Sequence, residues 1–301
     1  MMQNFSAFAP RPAVLAKWLA LCLLALSLAA CSLARVGYDH GDTLLYWWLN
    51  GYAGFHGEQK PWVRQRIAGF MAWHRSTQLE DYVLLLRTAQ TRLQGPVTAH
   101  SVLADYDELG KRADRVTEQV LPDLADFALM ADAANLERLE KKFAANNREF
   151  REDYLDGDVS EQQENRYRKI MEQAEYWFGD FSDEQEERIR HASDQRPLNN
   201  QWWLDDRIRR QQVLLALLRR IQHDKPPRAS VIGMLRDYMN ENSLVSSTAP
   251  PEMRAFALAS KQGVAQIVAL IVNIATPEQK AHAHAKLQKW IGDFDALTVK
   301  G

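Results

Sequence analysis

Residues 132–155 read DAANLERLEKKFAANNREFREDYL. Leu136, Leu139, Phe143, Phe150 and Tyr154 fall on one helical face. Glu137, Lys141, Arg148 and Glu152 fall on the other. Apolar residues three, four and seven apart are the mark of a helix with one buried stripe. The same period runs through most of the chain, and alternation by two is nowhere sustained. The expected fold is therefore all-α, with antiparallel helical hairpins packed as an elongated bundle.

Working outward, helices are expected at 42–52, 60–76, 77–94 and 98–130, with a kink at Pro122. After residue 155 they are expected at 160–178, 182–195, 200–222, 229–239, 252–275 and 276–297. Four starts carry a capping-box pattern, in which a hydroxyl and a side chain three residues later satisfy end amides reciprocally. These are Thr77/Glu80, Ser160/Gln163, Ser182/Gln185 and Thr276/Gln279. Asp156-Gly157-Asp158 reads as a turn, and 156–160 is the candidate boundary between two sub-bundles. Residues 264–275 are strongly apolar, but Lys261, Gln262, Gln266 and Asn273 interrupt the helix expected at 252–275. A buried bundle helix is expected there, not a membrane span.

The N-terminus carries a different signal. Arg11 and Lys17 precede an apolar run from Trp18 that ends in Leu28-Ala29-Ala30-Cys31, with no acidic residue before it. This 13-residue run, interrupted only by Cys22 and Ser27, suits a signal-peptide core and falls short of a span. Leu-Ala-Ala-Cys resembles the lipobox of bacterial lipoproteins. That resemblance implies cleavage between Ala30 and Cys31, acyl chains on Cys31, and anchoring in an envelope membrane. The absence of Asp after the cysteine favours the outer membrane. The expected domain plan is a cleaved leader at 1–30, a lipidated tether at 31–38 and a helical domain at 39–301. The tether is short enough to hold the body near the membrane surface.

Composition narrows the function classes. The chain has 37 basic and 39 acidic residues. Loss of Arg11 and Lys17 with the leader leaves 35 against 39, a formal charge of −4. The charges are mixed, with no basic block, so nucleic acid is not an expected partner. Cys22 lies in the leader, so no disulfide is expected after cleavage.

Two resemblances bear on function. Phe181-Ser182-Asp-Glu-Gln185 and Ala275-Thr276-Pro-Glu-Gln279 resemble the Leu-Thr-x-x-Gln motifs of small periplasmic stress chaperones related to spheroplast protein Y, though both lack the Leu. This implies an all-α protein that binds unfolded clients without ATP. The second resemblance rests on the lipobox followed by Tyr38-Asp39, Asp42, Leu44-Leu45 and Trp47-Trp48. It also uses Asn147-Arg148-Glu149-Phe150, Trp177-Phe178-Gly179 and Trp290-Ile291. Together these are similar to an uncharacterised family of proteobacterial lipoproteins, which implies a helical envelope protein and supplies no activity.

Candidate site residues are few. Tyr38, Asp39 and Asp42, with His40, form a polar cluster that suits a small ligand site. Asp39 or Asp42 equally suits a helix cap, since carboxylates are favoured at a helix start. Trp47, Trp48, Trp202 and Trp203 suit either core packing or a groove for apolar peptides or acyl chains. His282 and His284, two apart, point to opposite sides of a helix and cannot share an ion as an i, i+4 pair does. No nucleophile motif, metal-ligand set or phosphate loop stands out, so no catalytic residue, metal or cofactor is expected. The expectation is a non-enzymatic, lipid-anchored envelope protein that binds client proteins or peptides. The alternatives are an assembly subunit docked on an envelope partner, and an enzyme without a recognisable motif.

Overall fold

The computed structural model describes residues 37–241 and 249–298. The expected leader, Ala30, Cys31 and most of the tether lie outside the described residues, as does much of the expected loop at 240–251. Among the described residues there is no strand. The helices are α1 (Gly41–Ala53), α2 (Gln59–Thr77), α3 (Leu79–Arg92), α4 (Ala99–Met130) and α5 (Ala133–Tyr154). Beyond the turn at 155–158 come α6 (Val159–Phe178), α7 (Asp183–Gln195) and α8 (Asn200–Asp224). The last three are α9 (Arg228–Glu241), α10 (Pro251–Ile274) and α11 (Pro277–Thr298). The all-α expectation holds, and the helix bounds lie close to those read from the apolar period.

The 32-residue α4 is the spine. At 1.5 Å per residue it runs about 48 Å. Pro122 supplies no N–H to the helix, yet α4 continues through it as one helix. Helices α2, α8, α9 and α10 all pack on α4. Helix α3 lies along α11, and α5 packs on both α1 and α8. Three apolar cores result. Tyr46, Phe55, Val63 and Ile67 close the first, between α1 and α2. Leu121, Ala125, Ile221 and Val231 close the second, around α4. Tyr167, Met171, Ile189, Ile271 and Leu287 belong to the third and largest. Fully buried side chains such as Leu121, Ile189 and Ile221 each contribute about 1.5–3 kcal/mol of transfer free energy.

The caps correct part of the sequence reading. Ser182/Gln185 forms a reciprocal box, and Thr276/Gln279 makes the same pair of bonds. Thr77/Glu80 does not. Thr77 is the last residue of α2, and its hydroxyl donates to the Trp73 carbonyl at 2.7 Å. Ser160/Gln163 does not either, because Asp158 caps α6 with Glu161 as its partner. A carboxylate two residues earlier outcompetes the hydroxyl. Thr98/Ser101 and Asp132/Asn135 form boxes that the sequence reading passed over.

Four helix starts meet in pairs, and the pairs repeat. In the first pair the turn between α1 and α2 faces the turn between α4 and α5. Gln59 Nε2 donates to Asn135 Oδ1 (2.8 Å), and Asn135 Nδ2 donates to Gln59 Oε1 (3.0 Å). In the second, the α6–α7 turn faces the α10–α11 turn. Gln185 and Gln279 exchange amide bonds of 2.9 and 3.1 Å. Each amide also reaches the opposite turn's backbone: Asn135 to Ala53, Gln59 to Met130, Gln185 to Ile274 and Gln279 to Asp180. All four side chains are buried, where an unpartnered amide costs about 1–3 kcal/mol. Both the pairing and the turns are therefore tightly specified.

The turns match in part of their backbone as well, although the glycine ψ angles differ, 53° at Gly54 and −163° at Gly179. Helices α1 and α6 end at Gly54 (φ 61°) and Gly179 (φ 78°), positive angles that favour glycine. Helices α4 and α10 end at Ala131 (φ −61°, ψ 142°) and Ala275 (φ −64°, ψ 134°). The chain thus holds the same clasp arrangement twice. The halves interlock, since α3 lies on α11 and α10 lies on α4.

Candidate binding grooves

Each clasp joins the ends of two helices, and an apolar groove lies between those helices. At the first clasp the groove runs between α1 and α4 and encloses about 460 Å³. Leu45, Leu49, Phe127 and Ala128 line its floor, while Trp62, Leu124 and Met239 stand at its lips. Leu124 and Met239 are each 38% exposed. Its one basic lining residue, Arg66, lies 3.4 Å from Asp123, so the groove is close to neutral.

At the second clasp the groove runs between α6 and α10 and encloses about 680 Å³. Both volumes fall in the range of small-molecule sites, roughly 300–1,000 Å³. Ile170, Trp177, Val264 and Val268 form its walls. This explains the apolarity of α10. That helix is long and apolar enough to cross a membrane, but half of its apolar window is buried. Val264 and Val268, one turn apart on another face, line the groove.

The far end of this second groove is cationic. Arg166 donates to the carbonyls of Ser193, Arg196 and Pro197. Arg196 Nε donates to Ser260 Oγ at 3.0 Å. Its stem crosses Gly263, where an added Cβ would lie 2.9 Å from Arg196 Cγ. Among the described residues neither guanidinium has a carboxylate within ion-pair distance. Burial pushes both guanidinium pKa values down, and for Arg196 the neighbouring Arg166 charge adds to the effect. Asp194 opposes this only at a distance. Arg166 Nε is buried without a partner.

The four tryptophans separate. Trp203 lines the second groove, and Trp202 and Trp203 both pack on Phe256, with ring centroids 5.3 and 5.6 Å away. Trp47 and Trp48 line neither groove and belong to no core, which corrects the core reading. They stand on the outer face of α1 with Leu44, exposed by 64%, 59% and 58%. The opposite face of α1 supplies Leu45 and Leu49 to the first groove, so a helix apolar all round leaves its excess in solvent.

The polar cluster disperses. Tyr38 Oη lies 2.8 Å from His74 Nδ1, and His74 Nε2 lies 3.2 Å from Tyr82 Oη. Burial raises the pKa of both tyrosines and lowers that of His74. Asp39 faces Arg75 at 3.7 Å. Asp42 accepts from the Thr43 N–H inside the first turn of α1. The cap position is His40, which makes no side-chain cap bond, so neither aspartate caps the helix. These residues tie the start of α1 to α2 and α3. His282 and His284 are both exposed. Among the described residues no cluster of three metal-ligating side chains occurs.

The clasp residues carry the signal that the sequence reading missed. Phe55-x-x-Glu58-Gln59 and Phe181-x-x-Glu184-Gln185 are one motif. Ala131-Asp132-x-x-Asn135 and Ala275-Thr276-x-x-Gln279 are another, in the same order. No curated protein and no solved structure matches the chain. A family model does match, over residues 51–240 of 301, which takes in Gln59, Asn135 and Gln185. The chain belongs to the family of unknown function DUF6279.

Proposed function

We propose that the protein is a non-enzymatic, lipid-anchored envelope protein that holds apolar segments of client proteins. The anchor is the acylated Cys31, and the location is the periplasmic face of the outer membrane. The supporting observation is the neutral, open groove at the first clasp, with Leu124 and Met239 at its lips. Apolar walls without a fixed charge accept many side chains, and a methionine lip adapts to different shapes. The resemblance of the two glutamine boxes to those of ATP-independent chaperones points the same way. The test is aggregation of a chemically denatured client diluted into equimolar full-length protein. Suppression that is lost with Leu124→Asp/Met239→Asp supports the reading. No suppression by the unaltered protein overturns it. Mass spectrometry of the mature N-terminus tests the anchor separately, because an unacylated N-terminal residue removes it.

A second reading rests on the exposed Leu44, Trp47 and Trp48 face. Such a face suits docking on an envelope partner as an assembly subunit. Crosslinking from position 47 in cells distinguishes it, since one specific partner is expected from docking and many from client holding.

A further inference from the structure

The groove at the second clasp has features that client holding does not call for. Two half-buried guanidiniums stand at one end with no carboxylate partner among the described residues. Burying a charge without a counter-charge is costly, and burying two side by side costs more. Their bonds run to neutral groups, the carbonyls at 193, 196 and 197 and the Ser260 hydroxyl. Lys169, on the same wall, stands 3.8 Å from the Tyr154 ring centre. From Arg166 the groove extends along α6 towards Phe178 at the clasp, about 18 Å at 1.5 Å per residue. Its walls are Ile170, Trp177, Val264 and Val268. Behind the guanidiniums, one turn before Arg166, the groove is walled where Asn200 bonds the Tyr154 carbonyl and Gln162.

We propose that this groove binds a long-chain fatty acid, with its carboxylate on Arg166 and Arg196 and its acyl chain laid along α6 and α10 towards the clasp. Charge complementarity selects an anionic head, and the guanidinium fork matches a carboxylate. The walls select the tail. An acyl chain brings no backbone polar groups to satisfy. Gly263 completes the site, because it lets the Arg196 stem lie flat on α10 and reach Ser260. The groove at the first clasp lacks this end, since Arg66 is already matched by Asp123.

The test is photolabelling of the full-length protein in membranes from cells that express it. The probes are a diazirine-bearing long-chain fatty acid and the alcohol of the same chain length. The acid is expected to label peptides of α6 and α10 about tenfold more than the alcohol, the ratio one charge-assisted contact supplies. Arg166→Gln/Arg196→Gln should bring acid labelling down to the alcohol level. Val268→Trp, at a partly exposed position, should block labelling by filling the groove while the helical circular dichroism stays unchanged. Equal labelling by acid and alcohol overturns the proposal, as does labelling confined to other helices. So does loss of labelling under excess apolar peptide with a free C-terminus but not under excess unlabelled fatty acid, which would assign the groove to peptide ends. The Leu124→Asp/Met239→Asp variant should label normally, so the client reading and this one fail independently.

Discussion

The groove at the first clasp meets one guanidinium, Arg66, balanced by Asp123 at 3.4 Å. The groove at the second meets Arg166 and Arg196, whose bonds run only to neutral groups. The clasps beside them repeat the same amide exchange, and the alanines that end α4 and α10 share extended angles, ψ 142° in one and 134° in the other. The two clasps thus share the part that needs exact amide pairing and differ at the groove ends. The clasp is intolerant because four buried amides satisfy one another. The groove ends are tolerant because they touch solvent.

The clasps also differ in tightness, and the largest expected effects come from breaking them. The Gln59 bond to the Met130 carbonyl is 3.5 Å, whereas its counterpart from Gln185 to Ile274 is 2.8 Å. Gln185→Ala leaves the Ile274 carbonyl and the Ser182 N–H without the partner it supplied, and takes two of its bonds from Gln279. It should cost about 3 kcal/mol in urea unfolding, and Gln59→Ala about 2 kcal/mol. Equal losses would erase the difference between the clasps. A double-mutant cycle on Gln185 and Gln279 should return a coupling of about 1 kcal/mol or more.

Capping sharpens the same contrast at a smaller scale. Thr276→Ala removes a hydroxyl that caps α11 within the second clasp, and should cost about 1 kcal/mol. Thr77→Ala removes a hydroxyl that donates to the Trp73 carbonyl and accepts from Gln78 Nε2 but caps no helix start, and should stay within about 0.5 kcal/mol. A cost at Thr77 equal to that at Thr276 would restore the box read from the sequence.

Gly263→Ala probes the groove end. Alanine favours the helix by about 1 kcal/mol. Overpacking against Arg196 costs about 1–3 kcal/mol. The net change in urea unfolding should be a loss of about 1 kcal/mol, while fatty-acid labelling falls because Arg196 is displaced from Ser260. Unchanged labelling would show that the guanidinium position does not matter.

The smallest expected effect is a pH dependence in the first half. Burial holds the His74 pKa below its ordinary value of 6.5. The unfolded chain therefore takes up the proton first as pH falls. The stability from neutral His74 is present above pH 6.5 and is lost as pH drops towards the lowered value. His74→Gln should flatten unfolding free energy measured between pH 7 and 5.5. An unchanged slope would place the titrating group elsewhere.

Most of the fold was legible in the sequence because each helix carries its own evidence, an apolar stripe and a start or stop residue. Local competition was less legible. Ser160 resembles a cap until Asp158, two residues earlier, takes the position. Tertiary pairing was least legible. Trp47-Trp48 and Trp202-Trp203 are the same dipeptide, yet only the second meets a distant partner, Phe256. The clasp amides are 76 and 94 residues apart, beyond any helical period. Their trace in the sequence is the repeated Phe-x-x-Glu-Gln and Ala-Asp/Thr-x-x-Asn/Gln pair, which becomes visible only when the two halves are aligned.

The client-holding account is tested most directly by a photocrosslinking amino acid placed at Leu124, on the lip of the first groove, or at Val159, which is 65% exposed and lines neither groove. Mixed with a denaturing client, the full-length protein should crosslink strongly from 124 and weakly from 159. Equal crosslinking from the two positions would contradict the account.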